Sequence, residues 1–300
     1  MTSARYTIID LGSNSFHMLT VTKIEDGFSV FSKKKQKVRL ASGLDEHNNL
    51  SQSTIDSGLQ CLQSFRAELD NLQPLKIMIT ATAALRLANN KQLFISQAEK
   101  ILQHPIHLIS GIEEAKTIYR GVAFTEQLQK QVLVIDIGGA STELVIGQGH
   151  DVLKAQSLHM GCVTWLNNYF ADKKLNEKNF SNAINQAKKI MTPHIANYQA
   201  LGWSLCMGAS GTIQAINEIN TQQQLDNELT LLLLNKIKMQ CIASKKIESL
   251  IIDGLKDSRK PVFASGLAIL IAVFECLQVT AIQPAKGALR EGLISILFND

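Results

Sequence analysis

Two short stretches of this sequence share one order of residues: an acid, an apolar residue, a glycine, two small residues and a serine. They are D-L-G-S-N-S at 10–15 and D-I-G-G-A-S at 136–141, and apolar, strand-forming residues flank both. A single copy would be weak evidence, because Gly/Ser turns are common in proteins. Two copies about a domain length apart indicate a duplicated strand–turn–strand element.

A Gly/Ser hairpin turn has a definite chemical use. It directs several backbone N–H groups and hydroxyls toward one point, and such a concave set of donors binds an anion without a cationic side chain. Two such turns that face each other across a cleft would hold a chain of phosphates from both sides. The sequence therefore predicts a cleft that binds a polyanion.

The acids that precede the turns, Asp10 and Asp136, predict a metal ion when they are taken as a facing pair. A carboxylate repels phosphate, so an aspartate beside each turn makes sense when a divalent cation lies between acid and phosphate. Mg²⁺ is the hard, oxygen-preferring candidate. Either aspartate alone would be interpreted as a turn cap. Glu143 lies two residues after Ser141, on the same strand face near the second turn.

Two more acids, Glu113 and Glu114, begin a predicted helix. Carboxylates in the first turn of a helix complement its dipole, which is the simplest interpretation of both. Their spacing does not choose between them for a role in chemistry.

The chain around these residues predicts an α/β fold. Strands are expected at 6–10, 16–23, 28–33, 37–40, 76–80, 106–109, 131–136, 142–147, 152–157 and 204–207, with an Asp-Gly turn at 26–27. Helices are expected at 53–72, 90–102, 113–123, 179–198, 229–243, 262–277 and 288–298, and another follows the turn at 208–211. Strands that alternate with helices favour layered sheets with crossover connections.

The composition limits the class of protein. The chain has 300 residues, of which 45% are hydrophobic and 19% are charged, and its formal net charge is +4. These values exclude a disordered chain, and the charge is too small for a protein that coats nucleic acid. At about 150 residues per domain the length predicts two domains. We place them at 1–125 and 126–300, with a tight hinge near 125–130.

The compartment follows from the cysteines and from the apolar segments. Five scattered cysteines without a C-x-x-C pair indicate a reducing environment. The first residues lack a signal-peptide pattern, and the most apolar stretch, at 264–273, is too short to span a bilayer. The sequence thus predicts a soluble, cytoplasmic protein that binds neither nucleic acid nor a membrane.

Seven motifs in order along the chain carry a resemblance to a known family. They are D-L-G-S-N-S-F-H-M-L at 10–19, A-T-A-A-L-R at 81–86, S-G-I-E-E-A at 110–115, D-I-G-G-A-S-T-E-L-V at 136–145, M-G-C-V-T-W at 160–165, M-G-A-S-G-T at 207–212 and G-A-L-R-E-G at 287–292. On these motifs the chain resembles the exopolyphosphatase/guanosine-pentaphosphate phosphatase family over essentially all of its length. Three segments, at 138–143, 160–172 and 265–272, resemble the guanosine-pentaphosphate branch more than the long-chain polyphosphate branch.

The resemblance implies a fold and an activity. The fold would be two ribonuclease-H-like domains of the actin/sugar kinase/Hsp70 superfamily, with the active site in the interdomain cleft and the last helix packed back on the first domain. The reaction would be hydrolytic release of the terminal phosphate of guanosine pentaphosphate, which gives the tetraphosphate, or of short inorganic polyphosphate. Mg²⁺ would be the cofactor and the polyanionic substrate the main partner, and a homodimer is compatible with the family.

The resemblance also assigns roles, residue by residue. Glu114 would be the catalytic base, Asp136 and Glu143 would assist the metal and the water, and Asp10 would approach Mg²⁺. Arg86 would lie near the terminal phosphates. The phosphate-binding residues would be Gly12, Ser13, Asn14, Ser15, Gly138, Gly139, Ser141 and Thr142. A third turn is interpreted either as a site for guanosine or further phosphates or as a tight turn against the core; it contains Gly208, Ser210 and Gly211.

Two departures from the family bear on the substrate. Ala140 stands where the polyphosphate branch has a third glycine, and a Cβ there is expected to restrict the backbone and to crowd a phosphate. Some members continue with a further helical region used for dimerisation and long-chain processivity, whereas this chain ends at Asp300. We therefore expect short chains or a nucleotide to be favoured over long polymers.

Other functions remain open at this stage. A non-catalytic sensor of alarmone or polyphosphate would keep the turns but would not need Glu114, Asp136 and Glu143. A kinase of the same superfamily would need an acceptor site with its own base, for which the sequence offers no candidate outside the turns.

The remaining polar residues near the motifs have two interpretations. A basic segment is either a guide for polyanions or a solvated strand edge that discourages aggregation; its residues are Lys33, Lys34, Lys35, Lys37 and Arg39. His17 and His159 lack a metal-ligand partner at a suitable spacing, so we expect packing or polar-lining roles.

Overall fold

The computed structural model describes residues 4–25, 27–126 and 128–299. Its first half is built on a five-stranded sheet. The strands are β1 (Arg5–Leu11), β2 (Phe16–Ile24), β3 (Gly27–Gln36), β4 (Lys76–Ala81) and β5 (His107–Leu108). The helices are α1 (Gln52–Leu72), α2 (Ala83–Leu87), α3 (Lys91–Leu102) and α4 (Gly111–Glu126), with a 3₁₀ turn at Leu40–Gly43.

The second half is built on a six-stranded sheet. Its strands are β6 (Gln131–Ile137), β7 (Thr142–Gln148), β8 (Asp151–Leu158), β9 (Leu205–Gly208), β10 (Leu229–Thr230) and β11 (Ala281–Pro284). Its helices are α5 (Cys162–Tyr169), α6 (Glu177–Leu201), α7 (Gly211–Gln223), α8 (Leu231–Ala243), α9 (Lys260–Leu277) and α10 (Leu289–Leu297).

The two sheets share one topology. The first has the order β3-β2-β1-β4-β5, and the second contains the same order as β8-β7-β6-β9-β11, with β10 added at its edge. In each, the first strand pairs antiparallel with the second and parallel with the fourth. This arrangement is ribonuclease-H-like, and it confirms the predicted α/β fold of the actin/sugar kinase/Hsp70 superfamily.

Helices α4 and α10 form a layer between the two sheets. One apolar cluster joins Ile8 and Leu19 of the first sheet to Val134 of the second through Ile118 of α4 and Leu293 of α10. The last helix therefore packs on α4 and β1, elements of the first half of the chain. The domain limits 1–125 and 126–300 remain a proposal, and Gln127 of the expected hinge lies outside the described residues.

The apolar segment at 264–273 lies in helix α9, which begins two residues before the predicted helix at 262–277. Helix α9 has 18 residues, and among the described residues it is the one helix long and apolar enough, by length and composition, to cross a membrane. Most of it is buried within the protein, where it packs against α5, α6 and α8. Its apolar surface is thus accounted for by the core of the second half.

One predicted strand is wrong. Residues 37–39 form no strand, because Arg39 adopts a left-handed backbone with φ of 59° and ends the extended run. The segment then folds over the first turn: the Arg39 N–H donates to the Asn14 carbonyl and the Ala41 N–H to the Ser13 carbonyl. Asp26 of the expected Asp-Gly turn lies outside the described residues, while Ile24 and Gly27 pair across the hairpin.

Candidate active site

The two Gly/Ser turns lie against each other. The first, residues 12–15, joins β1 to β2, and the second, residues 138–141, joins β6 to β7. A Cβ built on Gly139 would lie 2.8 Å from the Ser13 Cβ and 3.4 Å from the Asn14 backbone nitrogen. Glycine at 139 therefore permits the close approach of the turns. The facing arrangement expected from the sequence is present.

The first turn is fixed by neighbouring backbone. The Ser13 hydroxyl accepts a hydrogen bond from the Ala84 N–H of α2 at 3.0 Å. The Ser13 and Asn14 carbonyls accept from Ala41 and Arg39. These bonds occupy the carbonyls of Ser13 and Asn14 and hold the turn in place.

Helix α5 fixes the second turn. The N–H groups of Cys162 and Val163 donate to the carbonyls of Gly138 and Gly139 at 2.9 and 2.8 Å. The N–H groups at the amino terminus of α5 are thus hydrogen-bonded to the turn itself. Gly161 is required before this helix, because a Cβ there would overlap the backbone of Gly139 and Ala140.

Ala140 does not have the effect expected from the sequence. It is not among the described residues with a positive φ, and it is 2% exposed within the apolar core. It also does not line the cavity between the turns. Its methyl group therefore packs away from the phosphate site.

A cavity of about 220 Å³ opens between the turns. Most of the predicted site residues line it: Asp10, Gly12, Ser13, Asn14, Ser15, Glu114, Asp136, Gly138, Gly139, Ser141, Glu143, Ser210 and Gly211. The third Gly/Ser turn thus reaches the same cavity as the other two, through Ser210 and Gly211.

Three predicted residues do not line the cavity. The Thr142 hydroxyl is fully buried and donates to the Met160 carbonyl at 2.6 Å. Gly208 ends β9, where a Cβ would overlap the side chain of Ile213. Arg86 is turned toward Glu114 and the Ile109 carbonyl, at 2.6 and 3.1 Å.

The structure separates the two adjacent glutamates of α4. Glu113 is exposed, and its carboxylate accepts from the Ser110 N–H at 2.7 Å, which is the helix-capping role. Glu114 is 8% exposed, lines the cavity and pairs with Arg86. Burial raises the pKa of Glu114, and the Arg86 charge opposes the rise.

Asp10 and Asp136 lie at the ends of β1 and β6 and are enclosed by protein around the cavity. Burial raises the pKa of each to about 7, and the positive charge of Arg290 opposes both shifts. Burial, and then the Glu114 and Asp136 charges, also raise the pKa of Glu143. The cavity therefore holds four acids with too little positive charge around them.

A divalent cation would supply the positive charge that these four acids lack. Among the described residues, three buried side-chain oxygens have no hydrogen-bond partner, namely Asp10 Oδ1, Ser15 Oγ and Thr80 Oγ1, and Thr80 is the neighbour of Asp10 on β4. The described residues contain no group of three His, Cys, Asp or Glu side chains close enough to hold a metal, so Asp10, Asp136 and Glu143 do not form a ready three-ligand site. Mg²⁺ commonly takes one or two carboxylates together with water and substrate phosphates, which suits Asp10 and Asp136.

Four residues with basic side chains line the cavity but are not among the predicted site residues. They are His17, Lys35, Arg259 and Arg290. Arg290 lies in the quoted 287–292 motif, which assigned it no role. Lys35 belongs to the basic segment, for which guiding a polyanion was one of two interpretations, and His17 was expected to pack or to line a polar site. Arg259 precedes the apolar helix α9 in a run of basic residues typical of a solvated loop, so spacing offers no signal for it.

The sequence model of the Ppx/GppA phosphatase family matches residues 20–298 of this chain. Two curated relatives are named guanosine-5'-triphosphate,3'-diphosphate pyrophosphatase. The one from Vibrio vulnificus is 50% identical and the one from Aeromonas hydrophila is 49% identical, each over 99% of this chain. The chain spans 60% of the length of both relatives.

Solved structures share the fold. An exopolyphosphatase from Cytophaga hutchinsonii superposes with a TM-score of 0.88 at 25% identity, over 98% of both chains. A Ppx/GppA family member from Aquifex aeolicus superposes with a TM-score of 0.79 at 22% identity, over 99% of this chain and 98% of that one.

Proposed function

Because this chain belongs to the Ppx/GppA phosphatase family, we propose that it removes the terminal phosphate of guanosine pentaphosphate, of short inorganic polyphosphate, or of both. One observation carries the proposal: two phosphate-type turns touch at a cavity that is also lined by four acids, of which Glu114 and Glu143 are buried. The names of the relatives support both substrates, since the sequence relatives are named for the nucleotide and a structural neighbour for polyphosphate.

In this proposal the turns hold the substrate. The amides of residues 12–15 and 139–141 bind the oxygens of the terminal phosphates, where they need no reorganisation as charge moves during the reaction. The Gly138 N–H instead donates to the Ser141 carbonyl at 2.9 Å and closes the second turn. Phosphoryl transfer depends mainly on such positioning and charge stabilisation. Arg290, Arg259 and Lys35, which line the same cavity, add positive charge for the leaving phosphates.

Glu114 is the proposed base. It accepts a proton from a water molecule as the water oxygen bonds to the terminal phosphorus and the bond to the bridging oxygen breaks. The released products are inorganic phosphate and the substrate shortened by one phosphate. A buried carboxylate with a raised pKa suits this role better than an ordinary surface glutamate.

Asp10 and Asp136 are the proposed ligands of Mg²⁺. When bound there, Mg²⁺ would neutralise phosphate charge and polarise the phosphate oxygens. Glu143 is held by the Ser157 hydroxyl, which donates to its Oε1 at 2.7 Å, and we assign it to orienting the water or the metal's coordinated water. We choose Mg²⁺ as the metal because all of the proposed ligand atoms are oxygens.

Arg86 takes a different role from the one expected. Its guanidinium contacts Glu114 and a backbone carbonyl, and it does not line the cavity. We therefore propose that Arg86 positions the base and holds it ionised, in place of a direct contact with the terminal phosphates. The third turn, with Ser210 and Gly211 at the cavity, is the proposed site for the nucleoside or for additional phosphates.

Phosphate release with water as the sole acceptor tests the proposal. Guanosine pentaphosphate, tripolyphosphate and a long polyphosphate are compared with and without Mg²⁺, using Glu114→Gln and its neighbour Glu113→Gln. We expect Mg²⁺-dependent release from at least one substrate, a loss of about 10³-fold in kcat for Glu114→Gln, and near-normal activity for Glu113→Gln.

The alternatives give different results in the same assay. Binding of all substrates without release from any would favour a sensor. Phosphate transfer only after an acceptor alcohol or carboxylate is added would favour a kinase. Near-normal kcat in Glu114→Gln would remove the assignment of the base.

A further inference from the structure

The lysines of β3 alternate between two faces of the first sheet. Lys34 faces α1, where its Nζ lies 2.7 Å from Oε2 of Glu68, and the Ser32 hydroxyl donates to the same carboxylate. Because successive side chains of a strand point to opposite faces, Lys33 and Lys35 lie on the other face. Lys35 pairs across the strands with His17, a residue of the cavity wall.

Two lysines of β3, Lys33 and Lys35, lie on this second face, and Lys37 follows directly after the strand; we call the three the lysine ridge. All three are exposed. Their distribution is one-sided, since the neighbouring Lys34 has an acidic partner and none of the three has one among the described residues. Lys37 instead donates to the Ser258 carbonyl at 2.5 Å.

The lysine ridge lies close enough to the charged residues of the cavity to interact with them electrostatically. Burial, and then the nearby charges of Arg259 and Arg290, lower the pKa of Lys35 to about 8, and Lys37 and Lys33 contribute in the same direction. The pKa of His17 is lowered to about 3, first by burial and then by the charges of Arg290, Lys35 and Lys33. Lys33, Lys35 and Lys37 repel one another and have no acidic partner among the described residues, so an anion bound along these three lysines would relieve their repulsion.

The geometry of the ridge suits an extended anion. Lys35 lies at the cavity wall, Lys33 lies one strand repeat farther along β3, and β3 is an edge strand with no outer neighbour. Within β3, Lys33 and Lys35 are separated by roughly 7 Å at about 3.3 Å per residue. Lysines that protect a sheet edge against aggregation can lie on either face of the strand. Edge protection therefore does not explain why the lysines without acidic partners lie on the cavity side.

We propose that the lysine ridge binds the internal phosphates of a condensed-phosphate chain whose terminal phosphate occupies the cavity. This inference rests on the proposed function only for which end of the chain enters the cavity. A linear chain with a charge on every unit engages Lys35 and Lys33 in turn, whereas tripolyphosphate ends near the cavity. Affinity should therefore grow with chain length until the ridge is covered.

Equilibrium binding tests the ridge separately from turnover. The Kd values of tripolyphosphate, a long polyphosphate and guanosine pentaphosphate are measured in EDTA for the wild type, Lys33→Gln/Lys35→Gln and Lys34→Gln. For long polyphosphate we expect the double variant to raise Kd about tenfold, and its salt slope to fall by about 0.7 for each lysine removed. Lys34→Gln, on the opposite face, should leave Kd within about twofold.

The outcomes separate this proposal from the proposed function. A polyphosphate Kd that rises in the double variant, with a smaller change for tripolyphosphate, supports the ridge even if no phosphate is ever released. Equal weakening by Lys34→Gln would indicate net charge only and would overturn it. Equal weakening for all three ligands, or none, would also overturn it. A selective effect on guanosine pentaphosphate would assign the ridge to a nucleotide and contradict the chain-length argument.

Discussion

At the scale of single residues, the pair formed by Arg86 and Glu114 sets the state of the proposed base. Burial raises the pKa of Glu114, and the Arg86 guanidinium, 2.6 Å from its Oε2, opposes that rise. A carboxylate with a raised pKa accepts protons more readily, but it must be ionised to do so. Arg86 thus favours the charged form of a buried base.

Replacing Arg86 with methionine should change the pH profile of the reaction. Without the guanidinium, the pKa of Glu114 rises further, because the charged form loses its nearest stabilising partner. Activity requires the ionised carboxylate, so the acid limb of kcat/KM should move to higher pH. The loss should be larger at pH 6 than at pH 9, and Arg86→Lys should recover part of it. Phosphate release measured across this range checks the shift.

Arg66 offers a matched control for that variant. It also pairs with a carboxylate, Asp70, and donates to a backbone carbonyl, that of Leu102, but it lies on α1 outside the cavity. Arg66→Met should leave the shape of the profile unchanged. A uniform loss of activity at every pH in Arg86→Met would instead indicate a contact with the substrate.

The residues of the site differ in how far the sequence predicts them. Asp10 and Asp136 follow from their repeated position at a strand end, and both reach the cavity. Glu114 is distinguished from Glu113 only by the direction in which α4 enters the cavity, and only the family resemblance selected it in advance. Arg259 comes from a segment far away in the chain, and no local pattern connects it to the turns.

At the scale of elements, the two hairpins are copies with different chemistry. Asp10 lies opposite His17 in the first hairpin, whereas Asp136 lies opposite Glu143 in the second. The repeated pattern predicts the shared backbone of the turns because glycine and serine specify it locally. The difference gives the cavity one side where His17 lies beside the cations Lys35 and Arg290, and an acidic side that contains Glu143.

The secondary structure was predicted best where the period is strong and local. The long helices and the first three strands of each sheet follow from apolar spacing. Strand β11 was missed because its four residues end in proline, and it pairs with β9, which is distant in the chain. The short helices α2 and α5 were missed because their hydrogen bonds serve the turns, a tertiary role that spacing does not show.

Contact between the turns makes Gly139→Ala the sharpest test at this scale. The new Cβ would lie 2.8 Å from the Ser13 Cβ, so one turn must move. A displacement of this kind misplaces the amides, and we expect kcat to fall about 10²-fold. The melting temperature should change little. Ala140→Gly, which adds no atom to the same turn, should keep kcat within about threefold; similar losses in both variants would contradict the contact argument.

At the scale of the whole molecule, the layer formed by α4 and α10 connects the two sheets and also supplies the site. Helix α4 carries Glu114, and α10 carries Arg290. The two helices cross closely because Gly121 leaves room for the Ala288 carbonyl and Gly292 leaves room for the Thr117 carbonyl. The crossing of these two helices therefore places both Glu114, the proposed base, and Arg290, a cation proposed to bind the substrate.

Gly121→Ala should destabilise the molecule, although alanine ordinarily stabilises a helix interior by about 1 kcal/mol relative to glycine. The added Cβ overlaps the Ala288 carbonyl and lies 2.7 Å from the Gly292 nitrogen, so the crossing must widen. Overpacking of this kind costs about 1–3 kcal/mol. We expect a lower melting temperature and reduced kcat where the protein is still folded. Lys116→Ala, on the exposed face of α4, is the control; a melting temperature raised equally by both variants would show that the crossing tolerates the methyl group.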